Sequence, residues 1–162
     1  MKRLRALGMS FVYAGSGIFA CVKNERNMRI HLCAAFYVLL FMPYYDFSRG
    51  EKAAVFLCIG LVTALEAVNT AVEAAIDLIG PGKHPLAKLA KDAAAGAVLF
   101  AAAAAAAVGG VLYYDRQVLD NIYETIVSRP IRAALFVLSV IFWAAFVFVP
   151  CKVNTEKQAD KA

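Results

Sequence analysis

The chain has 162 residues, enough for one domain, and a composition unlike that of a soluble protein. Apolar residues make up 62% of it and charged residues 18%, with a mean hydropathy of +0.64. Long apolar runs bounded by charged clusters predict an integral membrane protein. The four cysteines show no C-x-x-C spacing, which excludes a zinc site or disulfide framework of recognisable type. The net charge of +5 does not indicate nucleic-acid binding, because basic residues that flank apolar segments serve membrane topology.

Residues 1–23 predict an amphipathic helix lying in the membrane interface. Apolar side chains recur at steps of three and four from Leu4 to Val22, behind a basic start. The alternative is a lipoprotein signal peptide, because residues 18–21 (IFAC) resemble a cleavage box. Glycine, serine and tyrosine interrupt this segment, whereas the apolar region of a signal peptide is a denser run. The surface helix is therefore favoured.

Four apolar segments follow, at about residues 30–47, 53–79, 93–113 and 133–149. The second would form a helix about 40 Å long, which exceeds the roughly 30 Å hydrocarbon core, so one end should project from the membrane. The third is mostly alanine and glycine, which allows close helix packing. Between the third and fourth, apolar spacing from Val118 to Ile126 suggests a short interfacial helix.

The distribution of basic residues predicts the orientation. With the N-terminus in the cytosol, cytosolic segments hold twelve lysines and arginines and external loops hold five. Because basic residues concentrate on the cytosolic side, both termini are expected there. The loop around residues 80–92 then lies on the same side as the first thirty residues.

The second apolar segment carries polar side chains that membrane helices normally lack. At 100° per residue they share one stripe about 80° wide, towards the cytosolic end. The stripe consists of Glu66, Asn69, Glu73 and Asp77. A carboxylate inside a span costs a few kcal/mol and persists where it is paired, solvated or used. Simple pairing with nearby lysines or Arg29 would explain one carboxylate, but three in one stripe favour a functional site.

Two further polar clusters share the cytosolic side: residues 24–31 (NERNMRIH) and residues 80–92, which begin with a tight loop. Together they offer carboxylates for a divalent cation and cations for phosphate. Magnesium takes one or two carboxylates plus phosphate oxygens and water, and phosphoryl transfer needs charge neutralisation and a base. No Walker loop, G-x-S-x-G or H-E-x-x-H motif competes. His31 and His84 are interpreted as polar interfacial residues, although His84 could touch a phosphate.

Three segments resemble the bacterial membrane diacylglycerol kinase family, and its undecaprenol kinase branch in particular. They are residues 10–27 (SFVYAGSGIFACVKNERN), 66–77 (EAVNTAVEAAID) and 84–98 (HPLAKLAKDAAAGAV). They occur in the family's order and spacing, and the resemblance covers residues 10 to about 113. It implies an all-α fold with a surface helix and three core membrane helices, assembled as a homotrimer with composite sites. A fourth C-terminal transmembrane helix would be added to that core.

The resemblance also implies roles for individual residues. Glu66 matches the proposed base on the lipid hydroxyl, while Glu25 and Glu73 match the carboxylates that hold the metal on ATP. Nucleotide-contacting positions of the family match Tyr13, Gly82, Lys83, His84, Lys91 and Asp92. Supporting positions are assigned to Asn69, Asp77, Asn27 and Arg29. The family's early basic residue aligns nearest Ala6, so Arg3 or Arg5 would have to replace it.

The leading hypothesis is therefore a multi-pass cell-membrane lipid kinase that uses Mg²⁺ and ATP at the cytosolic interface. Residues 1–113 would form the kinase domain, and 114–162 an external loop, the fourth span and a cytosolic tail. The expected substrate is undecaprenol, with diacylglycerol as the alternative. A non-enzymatic transport or scaffold protein would need polar positions through the whole depth of a span. Between residues 53 and 65, however, only Thr63 carries a hydrogen-bonding side chain.

Overall fold

The computed structural model describes residues 2–80 and 84–149, in which all regular structure is helical. The six α-helices are α1 (Lys2–Asn24), α2 (Arg26–Phe41), α3 (Arg49–Ile79), α4 (Pro85–Tyr113), α5 (Arg116–Val127) and α6 (Pro130–Phe148). A 3-10 turn, Met42–Tyr44, follows α2. The predicted short helix between the third and fourth apolar segments is present as α5. Gly82 and Lys83 lie outside the described residues, and so does the C-terminal tail.

Four of the described helices are long and apolar enough to cross a membrane: α1 from Ala6, α3, α4 and α6. The expected all-α membrane fold with a fourth C-terminal span is thus confirmed. Helix α2 has only 16 residues, but the turn and loop that follow extend the apolar segment. The placement of α1 on the membrane surface stays a prediction, because its length and composition would also suit a span.

Local sequence explains where the long helices begin and end. Ser48 and Glu51 form a reciprocal capping box at the start of α3, with N···O distances of 2.7 and 3.3 Å. Helix α3 ends at Gly80, whose positive φ of 137° is a conformation that favours glycine. Helix α4 begins with Pro85 in its first turn, where a missing N–H costs nothing, and His84 Nδ1 accepts from Leu86 N.

Helices α3 and α4 form the most extensive helix–helix interface in the described chain. At one end of this pair, an aromatic cluster joins the α2–α3 loop to the end of α4. Tyr45 donates to the carbonyl of Tyr113 at 2.8 Å, and Tyr113 donates to the carbonyl of Val38 at 3.0 Å. Phe47 of the α2–α3 loop and Ile122 of α5 are buried in the same cluster. These contacts fix the ends of α2, α3 and α4 relative to one another.

Helix α6 packs along α2 through a second set of aromatic contacts. The hydroxyls of Tyr37 and Ser139 lie 3.1 Å apart, and the rings of Phe36 and Trp143 lie 5.4 Å apart. Phe136 contacts both Tyr37 and Phe41. Helix α2 therefore lies between α3 on one side and α6 on another.

Candidate active site

Glu66 is the most deeply buried charged residue in the described chain. Its side chain is 1% exposed, and Oε1 has no hydrogen-bond partner among the described residues. It borders a pocket of about 240 Å³ between α2, α3 and α4. Asn27, His31 and Asn69 supply the other polar walls, and apolar side chains of α4 close the far side. A buried carboxylate facing open space is available to a ligand.

Asn69 links Glu66 to Glu73 along the same face of α3. Its Nδ2 donates to Glu73 Oε1 at 3.0 Å, while its own Oδ1 is buried without a partner in the described part of the chain. The spacing of three and four residues places these side chains on successive turns. The stripe expected from the sequence is therefore continuous here.

Glu25 brings a third carboxylate to this face from the junction between α1 and α2. Partial burial raises the pKa of the Glu25 carboxyl, and the nearby Glu73 carboxylate raises it further. The Glu66 carboxylate is also close enough to Glu25 and Glu73 for like-charge repulsion. The three carboxylates therefore concentrate negative charge at this face of the structure.

Asp77 and Lys91 form an ion pair at the end of this face, with Nζ and Oδ1 2.5 Å apart. The pair connects the last turns of α3 to the second turn of α4. Both side chains are partly exposed, so the pair adds little to stability and can exchange partners. Lys91 is thus held beside Asp77, one turn of α3 beyond Glu73, and its partial exposure leaves it accessible to an anion.

The other predicted site residues are placed less centrally. Tyr13 is 67% exposed on α1, and Asp92 is exposed on α4; neither lines the Glu66 pocket. His84 is exposed and caps α4. Arg29 is buried, but its guanidinium binds backbone carbonyls and does not line the pocket. Gly82 and Lys83 lie outside the described residues.

His31 lines the pocket, although sequence reasoning treated it as a polar interfacial residue. It follows Asn27 by one helical turn, a spacing that places both side chains on one face of α2. That spacing is the signal that could have identified it. His31 and Ala102 also border a second cavity of about 250 Å³, which has mostly apolar walls and extends towards Tyr113. The Glu66 pocket, which has both polar and apolar walls, therefore adjoins an apolar cleft.

Comparison with known proteins decides the family. The sequence profile of the prokaryotic diacylglycerol kinases matches residues 12–113. The chain belongs to the prokaryotic diacylglycerol kinase family. The match spans most of α1 and all of α2, α3 and α4, so the three carboxylates fall within it.

Individual relatives carry two names within this family. An undecaprenol kinase of Bacillus subtilis is 44% identical over 104 residues, which are 64% of this chain and 85% of that protein. A diacylglycerol kinase of Synechocystis is 43% identical over 105 residues, 64% of this chain and 60% of its own length. A diacylglycerol kinase of Haemophilus influenzae is 35% identical over 106 residues, which are 63% of this chain and 87% of that protein. Helices α5 and α6 lie beyond the family match.

Proposed function

We propose that the protein is a membrane lipid kinase that transfers the γ-phosphoryl group of ATP to undecaprenol. The observation that carries this proposal is the Glu66 carboxylate, buried to 1% exposure, without a described partner, and facing a pocket beside two more carboxylates. Such a group is costly inside a membrane protein unless it is used. Membership of the family supports the reaction type.

Glu66 is the proposed general base. It accepts the proton of the lipid hydroxyl, whose oxygen bonds to the γ-phosphorus while the bond to the leaving ADP oxygen breaks. The apolar cleft that continues from the pocket suits the lipid chain. Asn69 holds Glu73 on the next turn, so the base and the neighbouring carboxylate keep a fixed spacing.

Glu25 and Glu73 are the proposed ligands of Mg²⁺. No group of three acidic, histidine or cysteine side chains suited to a metal occurs in residues 2–80 and 84–149. Two neighbouring carboxylates still fit, because magnesium in kinases is held by one or two carboxylates together with substrate phosphates. The chemistry that this cation supplies when bound is neutralisation of charge on the phosphates. The two residues thereby couple metal binding to nucleotide binding.

Lys91 is the proposed phosphate contact. It pairs with Asp77, and that partly exposed pair can open when phosphate oxygens offer a stronger partner. Asp77 then keeps Lys91 near the site between turnovers. Tyr13, Gly82, Lys83, His84 and Asp92 stay proposed nucleotide contacts on the family resemblance, and Asn27 a supporting residue.

Undecaprenol is the preferred substrate because the chain is 44% identical to the undecaprenol kinase of Bacillus subtilis, over 85% of that protein's length. Diacylglycerol is the second candidate, favoured by the names of the Synechocystis and Haemophilus relatives.

A direct assay separates these candidates. The purified protein in nanodiscs receives ATP labelled at the γ-phosphate, Mg²⁺, and either undecaprenol, dioleoylglycerol or no added lipid. Faster labelling of undecaprenol supports the first choice, whereas labelling of dioleoylglycerol alone supports the second. Glu66→Gln serves as the inactive control. No labelled lipid from either alcohol would overturn the kinase proposal.

We also propose a homotrimer with the active site and both termini on the cytosolic side. The trimer is proposed on the family resemblance, and the cytosolic placement on the distribution of basic residues. Native mass spectrometry from mild detergent should show three copies. A monomer at all protein concentrations would contradict the trimer and any site composed of residues from two chains.

A further inference from the structure

Arg29 is buried at the start of α2 and donates hydrogen bonds to four backbone carbonyls. Two belong to the last turn of α1: Nε donates to Val22 O at 2.7 Å, and Nη2 donates to Lys23 O. Two belong to the end of α6: Nη1 donates to the carbonyls of Phe146 and Val149, each at 2.9 Å. One side chain thus joins the ends of helices more than a hundred residues apart in sequence.

The chemistry of this contact is specific. The last carbonyls of a helix have no partner within it and carry the negative end of the helix dipole. A guanidinium presents several donors in a fixed plane and keeps its charge, so it can satisfy two such ends at once. The Phe146 ring adds a cation–π contact, 5.2 Å from the guanidinium carbon. Removing Arg29 would leave carbonyls of both helix ends without these donors.

The position of α6 depends on its packing against α2. Trp143 contacts Phe36, and Ser139 bonds to Tyr37, on the same side of α2. These contacts align α6 so that its last turn reaches Arg29. Glu25 lies one turn before Arg29, and its carbonyl accepts the Arg29 backbone N–H at 3.4 Å. The hydrogen bonds of Arg29 therefore connect the end of α6 with the junction that carries Glu25.

We propose that Arg29 is a positioning residue through which α6 fixes the α1–α2 junction, and with it Glu25, opposite Glu66 and Glu73. The segment beyond the family match thus takes part in shaping the site. This inference rests on the proposed function, since Glu25 matters as a carboxylate for the metal–nucleotide complex. Arg29 itself lines neither the Glu66 pocket nor the apolar cleft beside it.

The test uses the full-length protein and four single variants: Arg29→Gln, Arg29→Lys, Trp143→Ala and, as control, Arg132→Gln. Arg132 is exposed at the opposite end of α6, so its change removes the same charge far from the junction. The first readout is hydrogen exchange of residues 22–28 without nucleotide. The second is a comparison of the change in KM for Mg-ATP with the change in kcat.

Arg29→Gln should speed exchange at the junction and raise KM for Mg-ATP about tenfold, with a smaller change in kcat, because charged hydrogen bonds are lost. Arg29→Lys should lie between it and the parent, since lysine keeps the charge but lacks the planar fork. Trp143→Ala should shift both readouts in the same direction. Combining Trp143→Ala with Arg29→Gln should add little to Arg29→Gln alone.

Unchanged exchange and KM in folded Arg29→Gln would overturn the inference, as would a Trp143→Ala protein indistinguishable from Arg132→Gln. If Arg29→Gln does not fold, Arg29→Lys and Trp143→Ala decide by the same criteria. A parent protein that phosphorylates no lipid would refute the proposed function instead. In that event the exchange measurement still tests the link between Arg29 and α6.

Discussion

Glu66 illustrates how burial and chemistry combine at a single residue. Its neighbours on α3 are mostly apolar, and the described residues give Oε1 no hydrogen-bond donor. Replacing it with glutamine keeps the shape but removes the basic oxygen. We expect Glu66→Gln to lower kcat by at least about 100-fold while Mg-ATP still binds, because general-base assistance is lost. Turnover and equilibrium binding of a non-hydrolysable ATP analogue measure the two effects separately.

The matched control is Glu124→Gln, which removes an exposed glutamate from α5, away from the pocket. It should behave like the parent. A Glu66→Gln protein that lost analogue binding to the same extent as turnover would contradict the assignment of Glu66 as base.

Glu73 is expected to act in a different way. It accepts a hydrogen bond from Asn69 and faces Glu25, so its loss should weaken metal binding first. For Glu73→Gln we predict about a tenfold higher Mg²⁺ concentration at half-maximal rate, which high Mg²⁺ partly corrects. Titration of activity with Mg²⁺ at fixed ATP tests this. A reduced maximal rate with unchanged Mg²⁺ dependence would argue against a metal-ligand role.

At the residue scale, sequence predicted the stripe because helical periodicity alone aligns Glu66, Asn69 and Glu73. His31 could not be recognised in the same way, since a single histidine in an apolar run is more often an interfacial group. His31 lines the Glu66 pocket only because α2 packs against α3 at the level of Glu66. Arg29 was expected to support the site, but its carbonyl partners at the end of α6 could be identified only from the structure.

At the scale of helices, the start of α3 offers a clean test of local stability. Ser48→Ala removes the side chain that accepts from Glu51 N and breaks the capping box. We expect the free energy of unfolding to fall by about 1 kcal/mol, with kcat unchanged, because the cap lies at the far end of α3 from Glu73. Denaturant unfolding in micelles measures the loss.

Ser128→Ala is the control, since Ser128 is exposed after α5 and its hydroxyl makes only a local contact. Equal stability losses in the two variants would show that capping does not explain the effect. A fall in activity with Ser48→Ala would show that the two ends of α3 are coupled.

The presence of the membrane helices was predictable, because a long apolar run in a membrane has to form a helix. Their first and last residues were harder to predict, because polar residues at the helix ends do not follow the apolar pattern. The sequence predicts an apolar segment from residue 93, preceded by a helix that carries Lys88, Lys91 and Asp92; the structure joins the two into one helix, α4, which begins at Pro85. The packing of α6 on α2 depends on aromatic contacts between distant residues, which periodicity does not reveal.

For the whole molecule, the charge distribution predicts the orientation. Twelve of the seventeen lysines and arginines fall in segments assigned to the cytosol, which predicts that the Glu25 junction and the start of α4 share that side. The turn between α5 and α6 is then expected outside. Because Glu25 and Lys91 must meet one pool of ATP, the proposed function requires this shared side.

Cysteine labelling in intact cells tests that arrangement. In a chain freed of its native cysteines, Ser128→Cys should react with a membrane-impermeant thiol reagent, whereas Lys88→Cys should react only after permeabilisation. A cysteine placed ahead of Met1 should also be protected if α1 lies on the cytosolic surface. Labelling of that cysteine in intact cells would mean that α1 crosses the membrane, as its length allows. Glu25 would then remain cytosolic, but the N-terminus would lie outside, and Tyr13 within the span would no longer be a proposed nucleotide contact.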